Sequence, residues 1–241
     1  CPVTVNLKVP ASAGGRARPA TTLVCPDSAR AYNNLGGALE WQGKFREALA
    51  AYRAAIALLP DDGQLHANLA YALLASGALA EGWREHAWRW RDPQFKSPRR
   101  AFPQPLWDGA PSEHGAVLLW GEQGIGDEIL FASVLAAAVA RVRRCVLECE
   151  PRLVALFARS FPDVEVVARG DPPDPRTLAP DIVAQAPMGD LPQWFRKRFE
   201  DFSGTESYLE ADPVRVCAVR ERVAALGPGP IVGLSWRTLR P

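Results

Sequence analysis

The sequence lacks an excess of charge of either sign. Its 241 residues hold 28 lysines and arginines against 27 aspartates and glutamates, which gives a formal net charge of +1. A near-neutral chain has no global electrostatic attraction to nucleic acid or to an anionic membrane surface. No apolar run approaches the roughly 20 residues that a membrane-spanning helix needs. We therefore expect neither a nucleic-acid partner nor a membrane span.

Cysteine and histidine are also scarce. The five cysteines are odd in number and form no Cys-x-x-Cys pair. Cys145 and Cys149 share one face of a predicted strand, but they lie too far apart along it to bond easily. This pattern favours reduced thiols and a cytoplasmic location. With only three scattered histidines, we expect no metal ion and no cofactor.

The chain divides into regions of different composition. Residues 1–28 are rich in Pro, Ala, Gly and Thr without periodicity, which is typical of a linker or a disordered end. Residues 29–92 have helical periodicity, and residues 93–115 form a proline-rich connector. Residues 116–227 alternate strand and helix patterns. We interpret residues 228–241 as the start of a further domain that this chain does not complete.

A period of about 34 residues in the helical region indicates tetratricopeptide repeats. The first unit has apolar or small residues at the spacings of this repeat, namely Tyr32, Leu35, Gly36, Leu39, Ala48, Tyr52, Ala55 and Pro60. Its small residues would let two antiparallel helices approach closely. One period later, Gly82, His86 and Arg89 stand where the first unit has a small, an aromatic and a small residue. The alternative interpretation is an unrelated helical hairpin.

Tryptophan and arginine alternate where the helical region ends. Trp83 and Trp90 share one helical face, whereas Trp88 lies on another face with Arg84 and Arg91. Such a stripe is either a stacking surface for bases or sugars, or a surface that docks the helices onto the next domain. We favour docking, because the connector that follows is short and stiff.

The rest of the chain predicts a doubly wound parallel sheet of the Rossmann-like type. The predicted strands are Ala116–Trp120, Cys145–Glu148, Val164–Val167, Asp181–Ala184 and Ile231–Trp236. The predicted helices are Asp127–Arg141, Arg152–Phe161, Asp190–Phe199 and Pro213–Leu226. Ligands of such sheets bind beyond the carboxyl ends of the strands. We expect the turn 121–127 and the pair Gly189-Asp190 to meet there.

The glycine-rich turn 121–127 does not have the sequence of a phosphate-binding loop. A P-loop would have Lys-Ser/Thr where Asp127-Glu128 stand, and a dinucleotide fingerprint would have a third glycine where Ile129 stands. Carboxylates at a helix start suit the helix dipole but would repel a phosphate. We therefore predict that the turn holds a carboxylate in a cleft. The missing glycine also argues against a nucleotide-dependent oxidoreductase.

Several motifs resemble those of bacterial tetratricopeptide proteins that carry a glycosyltransferase-like domain. They are Glu81-Gly82-Trp83, Trp88-Arg89-Trp90, Pro105-Leu106-Trp107-Asp108-Gly109, the stretch 120–128, Met188-Gly189-Asp190-Leu191-Pro192 and the stretch 232–237. This family is similar to the GT-B glycosyltransferases, in particular the lipopolysaccharide heptosyltransferases and the O-linked GlcNAc transferases. The resemblance implies the first half of a two-domain enzyme whose second domain holds the donor. We accordingly expect this chain to be a fragment, truncated at both ends.

The resemblance also implies roles for individual residues. Gly126-Asp127 matches the Gly-Asp pair of the heptosyltransferases, so Asp127 is the expected catalytic base toward an acceptor hydroxyl. The acceptor or the cleft would be lined by Gly121, Glu122, Gln123, Gly124, Gly126, Gly189 and Asp190. Arg237 would neutralise the diphosphate of a nucleotide-sugar, and a protein partner would occupy the tetratricopeptide groove. Two alternatives stay open: Asp127 only stabilises its helix, or the protein is a non-catalytic adaptor.

Overall fold

The computed structural model describes residues 3–8, 19–24, 28–202, 207–227 and 229–232. Within the segment that we predicted as a linker, strands β1 (Val3–Lys8) and β2 (Pro19–Val24) form an antiparallel pair. Apolar residues alternate with polar ones along β1, a pattern of period two that favours a strand. The overall composition of residues 1–28, which indicated a linker, hides this short alternation, so the strand pair was not predicted.

Four helices form the helical array. They are α1 (Ala29–Trp41), α2 (Phe45–Leu58), α3 (Gly63–Ala75) and α4 (Leu79–His86), and a 3-10 helix from Ala87 to Arg91 follows α4 directly. The Ser28 hydroxyl accepts a hydrogen bond from an early backbone N–H of α1, and the Asp62 carboxylate caps α3 in the same way. These polar residues satisfy N–H groups that have no partner within their helices.

Small residues set the distance between the helices, as the repeat pattern predicts. A Cβ atom at Gly36 on α1 would lie 2.6 Å from the Tyr52 ring on α2, closer than a real Cβ contact allows. Ala48 and Ala55 on α2 are fully buried. The interface between α1 and α2 therefore depends on the absence of side-chain volume at these positions.

A four-stranded parallel sheet follows the connector. Its strands are β3 (Ala116–Trp120), β4 (Cys145–Cys149), β5 (Val164–Ala168) and β6 (Ile182–Pro187), in the spatial order β5-β4-β3-β6. Strand β3 pairs with both β4 and β6, so the chain proceeds to one side of β3 and later returns to the other side. Such a change of direction creates a crevice at the carboxyl ends of the two strands. The prediction of a helical array followed by a parallel α/β sheet is confirmed.

The two faces of the sheet are covered differently. One face packs against helices α5 (Ile125–Ala132), α6 (Leu135–Val139), α7 (Val154–Ser160) and α8 (Leu191–Phe195). The other face packs against Phe102 from the connector and Trp90 from the end of the helical array. The preceding segments of the chain thus supply much of the second layer, and the sheet and the helical array share a core.

Some predicted elements have different limits in the structure. The predicted helix 127–141 is interrupted at Ser133, whose hydroxyl donates to the Leu130 carbonyl at 2.6 Å. Such a bond competes with the helical ladder and bends it. Helix α9 (Pro213–Ala224) agrees with its prediction, and the Asp212 carboxylate caps it. Residues 231 and 232 do not form a strand, and the rest of the predicted strand 231–236 lies outside the described residues.

Within the described ranges, no helix is long and apolar enough to cross a membrane. In the same part of the chain, no group of three His, Cys, Asp or Glu residues is placed to hold a metal ion. Cys145 and Cys149 are free thiols buried on one face of β4. Burial raises the pKa of both thiols to about 12, so neither is a reactive thiolate.

Candidate functional site

The glycine-rich turn leaves the carboxyl end of β3, where we predicted it. Gly121 lies against Glu128 of α5, and a Cβ atom at position 121 would overlap the Glu128 carboxylate. Position 121 therefore requires a glycine because a helix of the same chain, and not a ligand, lies close to it. Gly124 and Gly126 are exposed, and a Cβ atom at Gly126 would meet no described atom within 4 Å. This part of the turn is open to solvent.

Gln123 lies at the exposed tip of the turn. Its φ of 62° is in the left-handed region, which residues other than glycine rarely occupy. Its backbone N–H donates to the Ser97 hydroxyl at 2.9 Å, and its side-chain amide donates to Glu122 at 3.3 Å. The connector thus holds the tip in place. Gln123 and connector residues 94–98 line a small cleft of about 310 Å³.

Asp127 caps the helix that follows the turn. Its Oδ2 atom accepts a hydrogen bond from the Gly124 N–H at 3.1 Å, and the N–H groups of Asp127 and Glu128 donate to the Gly124 carbonyl. The contact from the Gly124 N–H to the Asp127 carboxylate is one half of a capping box; the other half is absent, because a glycine has no side chain to accept a hydrogen bond from the helix. The Asp127 side chain is half-buried. The helix-stabilising role that the sequence left open is therefore present, and the carboxylate lies on the open part of the turn.

Glu122 does not line an open cleft. Its side chain is 1% exposed, and its two carboxylate oxygens accept hydrogen bonds from Nε and Nη2 of Arg89 at 2.8 and 2.7 Å. Arg89 belongs to the 3-10 helix that ends the helical array and is itself 1% exposed. Burial raises the pKa of Glu122, and the arginine opposes that shift. This two-pronged pair joins the helical array to the end of β3.

The Gly189-Asp190 pair after β6 completes the same cluster. Oδ1 of Asp190 lies 2.8 Å from Nη2 of Arg89, as an ion pair without hydrogen-bond geometry. A Cβ atom at Gly189 would overlap an oxygen of Glu122. The fold therefore brings together the two predicted segments, the turn and the Gly189-Asp190 pair. It arranges them around the Arg89 guanidinium, which occupies the space between them.

His86 is the fourth member of this cluster, and it is neutral. Its Nδ1 atom lies 3.3 Å from Nη1 of Arg89. Because a guanidinium can only donate, Nδ1 must carry a lone pair, which places the single proton on Nε2. Burial, and then the charge of Arg89, lower the pKa of His86 to about 3. We name the set His86, Arg89, Glu122 and Asp190 the junction cluster.

Two more buried glutamates at this edge of the sheet are paired with arginines. The Glu128 carboxylate lies 2.8 Å from the Arg169 guanidinium and accepts a hydrogen bond from the Glu150 N–H at 2.8 Å. Glu148 pairs with Arg100 from the connector. Burial raises the pKa of both glutamates. Together with the junction cluster, these pairs attach the helical array, the connector and the loop after β5 to one edge.

The tryptophans confirm the docking interpretation. Trp90 packs against Trp120 of β3 with 5.5 Å between ring centroids, and Trp83 packs against the helix-covered core of the sheet domain. Trp88 is stacked on His66 at 3.8 Å with its ring nearly parallel. These rings join protein segments to one another, and they do not form an open stacking surface for bases or sugars.

The predicted site residues fall into two groups. Exposed or half-buried are Gln123, Gly124, Gly126, Asp127 and Asp190, whereas Gly121, Glu122 and Gly189 are buried. Arg237 lies outside the described residues. The ion pairs of Arg89 and Arg100 were not predicted from the sequence. The signal for Arg89 was its place in the repeat, because a charged residue stands there at a position that packs as alanine one period earlier.

The helical array has a separate open groove. Its volume is about 760 Å³, and its lining includes Asn33, Asn68, Tyr52 and Trp41. The two asparagines come from the first helix of each repeat, and Asn68 donates to Asn33 at 2.8 Å. The Tyr52 hydroxyl donates to Glu40 at 2.9 Å. Amide groups both donate and accept hydrogen bonds, and the exposed ring of Trp41 lies in the same groove. Such a lining is suited to binding an extended peptide.

Comparisons with known proteins agree with the helical part of this description. The tetratricopeptide repeat family model matches residues 29–62. Protein FlbA of Caulobacter vibrioides is 32% identical over 238 residues, which cover 90% of this chain. The chain spans only 39% of the length of FlbA.

Among solved structures, a mutant O-GlcNAc transferase of Thermobaculum terrenum superposes with a TM-score of 0.26 and 19% identity. The superposition covers 64% of this chain and 37% of that one. A TM-score this low adds nothing to the fold assignment. The chain contains a tetratricopeptide repeat, and its helical array continues into a parallel α/β sheet.

Proposed function

We propose that this chain is the acceptor-side part of a tetratricopeptide-containing glycosyltransferase of the GT-B class. In the intact protein, a second Rossmann-like domain would hold a nucleotide-sugar, and the present sheet domain would offer the acceptor hydroxyl to it. The tetratricopeptide groove would bind the protein that carries or presents this acceptor. Because the chain spans 39% of the length of FlbA, the activity of the whole protein is part of this proposal.

The position of Asp127 supports the proposal most directly. The Gly124–Asp127 segment begins where β3 ends, and β3 is the strand at which the direction of the chain changes between β4 and β6. That crevice is where parallel α/β sheets bind their ligands. Within the candidate site, the exposed glycines Gly124 and Gly126 leave room beside the half-buried Asp127 carboxylate.

The proposed chemistry is a single displacement with inversion at the anomeric carbon. The acceptor oxygen attacks that carbon, the bond between the carbon and the diphosphate oxygen breaks, and the Asp127 carboxylate takes the hydroxyl proton. The capping bond fixes Oδ2 on the Gly124 N–H, so the carboxylate is held in one orientation. Glu122 is unsuited to this role, because both its oxygens are engaged by Arg89.

The experiment is Asp127→Asn in the full-length protein, assayed with nucleotide-sugars. We expect turnover to fall by about 10²- to 10⁴-fold, the usual contribution of a general base, with little change in thermal stability. Asp212→Asn is the matched control, because Asp212 also caps a helix start but lies on α9. Wild-type turnover in Asp127→Asn would reduce Asp127 to a capping residue and remove the base from the mechanism.

A second candidate function is a non-catalytic adaptor that binds a protein through the tetratricopeptide groove. The buried junction cluster favours it, because the edge that would bind a ligand is largely filled by ion pairs. This adaptor would show no turnover with any nucleotide-sugar. Its partner binding would weaken in Asn68→Ala, which removes the groove amide, and would be unaffected by Asp127→Asn.

A further inference from the structure

A second groove lies between α7 and α9, on the sheet domain. Its volume is about 610 Å³. Its polar lining includes four arginines, Arg152 and Arg159 from the α7 segment and Arg215 and Arg220 from α9. Neither the proposed sugar transfer nor the tetratricopeptide groove uses these residues.

Acidic residues do not balance the charge of this groove. Asp212 is its acidic lining residue, and the Asp212 carboxylate accepts a hydrogen bond from the Arg215 backbone N–H at 3.1 Å. That backbone contact lowers the pKa of Asp212. Arg152 is paired with Glu150 at 2.7 Å. Three guanidinium groups remain without a carboxylate partner in the described part of the chain.

One of these three guanidiniums is already held in position. Nε and Nη1 of Arg159 donate to the backbone carbonyls of Glu210 and Ala155 at 2.8 and 3.3 Å. Carbonyl oxygens orient the group without neutralising its charge. Guanidinium forks held in this way match the geometry of carboxylates.

The remaining lining is apolar. Leu156 of α7 and Val216 and Val219 of α9 contribute to the surface between the arginines. Val219 is 53% exposed, and α9 has no buried residue among those described. An apolar strip with a positive rim is complementary to an amphipathic segment that carries acidic residues beside apolar ones.

We propose that the groove between α7 and α9 binds an acidic amphipathic peptide segment of a partner protein. Arg159, Arg215 and Arg220, the three arginines without a carboxylate partner, would pair with its acidic side chains. Its apolar side chains would cover Leu156, Val216 and Val219. The concave shape favours a rod-like segment over a bilayer surface, which is flat on this scale. The site is independent of the proposed sugar transfer, because it uses none of the residues at the glycine-rich turn.

The test uses the purified chain and a fluorescein-labelled amphipathic peptide composed of glutamate, leucine and alanine. A matched peptide with lysine in place of glutamate is the probe control. We expect saturable binding of the acidic peptide that weakens as salt is added. The double variant Arg215→Glu/Arg220→Glu should raise its Kd by about tenfold or more, as charge reversal across an interface does.

Two further variants distinguish binding in the groove from a non-specific effect of the protein's overall charge. Arg222→Glu reverses one charge on the same helix, as each substitution of the double variant does, but it lies outside the groove lining. It should therefore change Kd by less than about twofold. Val219→Ser leaves the charge unchanged and should weaken binding through the apolar strip. Because α9 is exposed, all variants should keep the wild-type circular dichroism spectrum.

Three outcomes would overturn the proposal. The first is no saturable binding of the acidic peptide to the wild-type chain. The second is an equal loss of binding in Arg222→Glu and in the double variant, which would mean a non-specific charge effect. The third is arginine-dependent binding to phosphatidylglycerol vesicles without peptide binding, which would identify the surface as a lipid contact.

Discussion

The two helical hairpins of the array use equivalent positions for different purposes. In the first hairpin, Ala48, Tyr52 and Ala55 pack against α1 and form a close helix–helix interface. One period later, His86 and Arg89 do not form such an interface, and their side chains lie at the junction with the sheet domain. The first hairpin is thus stabilised by close packing of small residues, and the second by a buried charge network that it shares with another domain.

This difference has an energetic consequence. Close packing of small groups depends on volume, so it responds gradually to changes of size. In a buried ion pair each charge must be compensated by its partner, because loss of one partner leaves the other charge uncompensated in a medium of low polarity. We therefore expect the second hairpin to be more sensitive to single substitutions than the first, and to be the element that responds to pH.

The largest expected effect is that of Arg89→Met. It leaves the buried Glu122 carboxylate and the half-buried Asp190 carboxylate without their cation, and the free energy of unfolding should fall by about 3–5 kcal/mol. Arg91→Met is the control on the same 3-10 helix, because its ion pair with Asp61 is largely exposed and should cost less than about 1 kcal/mol. Urea unfolding measures both. Equal losses in the two variants would contradict a special role for the junction cluster.

The next effect is a pH dependence that comes from His86. Its pKa of about 3 in the folded protein is below the ordinary value of 6.5, so the unfolded state binds the proton more tightly. The contribution of His86 is complete above about pH 6.5 and is lost as the pH falls toward 3, by about 1.4 kcal/mol per pH unit. Unfolding curves of the wild type and His86→Gln, measured between pH 7 and 5, should converge as the pH falls. Parallel curves would contradict a buried neutral histidine.

A smaller effect should distinguish two adjacent glycines of α1. An added methyl group at Gly36 would meet the Tyr52 ring at 2.6 Å, whereas one at Gly37 would lie 3.6 Å from the Tyr52 hydroxyl. Gly36→Ala should therefore destabilise the chain by about 1–2 kcal/mol through overpacking. Gly37→Ala should stabilise it by about 0.5–1 kcal/mol through helix propensity. Thermal unfolding gives both signs, and a stabilising Gly36→Ala would show that α1 and α2 are not in close contact.

The smallest effect concerns the polar contact between α1 and α2. Tyr52→Phe removes the hydroxyl that donates to Glu40 at 2.9 Å and should lower the free energy of unfolding by about 0.5–1.5 kcal/mol. The double variant Tyr52→Phe/Glu40→Gln completes a cycle that isolates the pair. A coupling energy near zero would show that the hydroxyl is solvated equally well without Glu40.

The sequence was sufficient for the elements whose patterns are local. The repeat spacing from Tyr32 to Pro60 predicted the first hairpin, and the apolar run 116–119 predicted β3 with its following turn. The same patterns did not reveal which charges are paired. Arg100 and Glu148 are 48 residues apart, and no periodicity connects them. Glu122 was accordingly predicted to line a cleft, whereas its carboxylate is paired with Arg89.

Local sequence patterns specify the helical array and the four sheet strands in their order, the period of the helical repeat, and the place of the glycine-rich turn between a strand and a helix. These features follow from backbone propensity and side-chain spacing, which act over a few residues. Tertiary contacts place Arg89 in the crevice beside the turn and bring Gly121 against Glu128. They also bring two arginines of the α7 segment and two of α9 to one groove. Each of these depends on contacts between segments far apart in the chain, where burial and pairing of charge are set by the assembled fold.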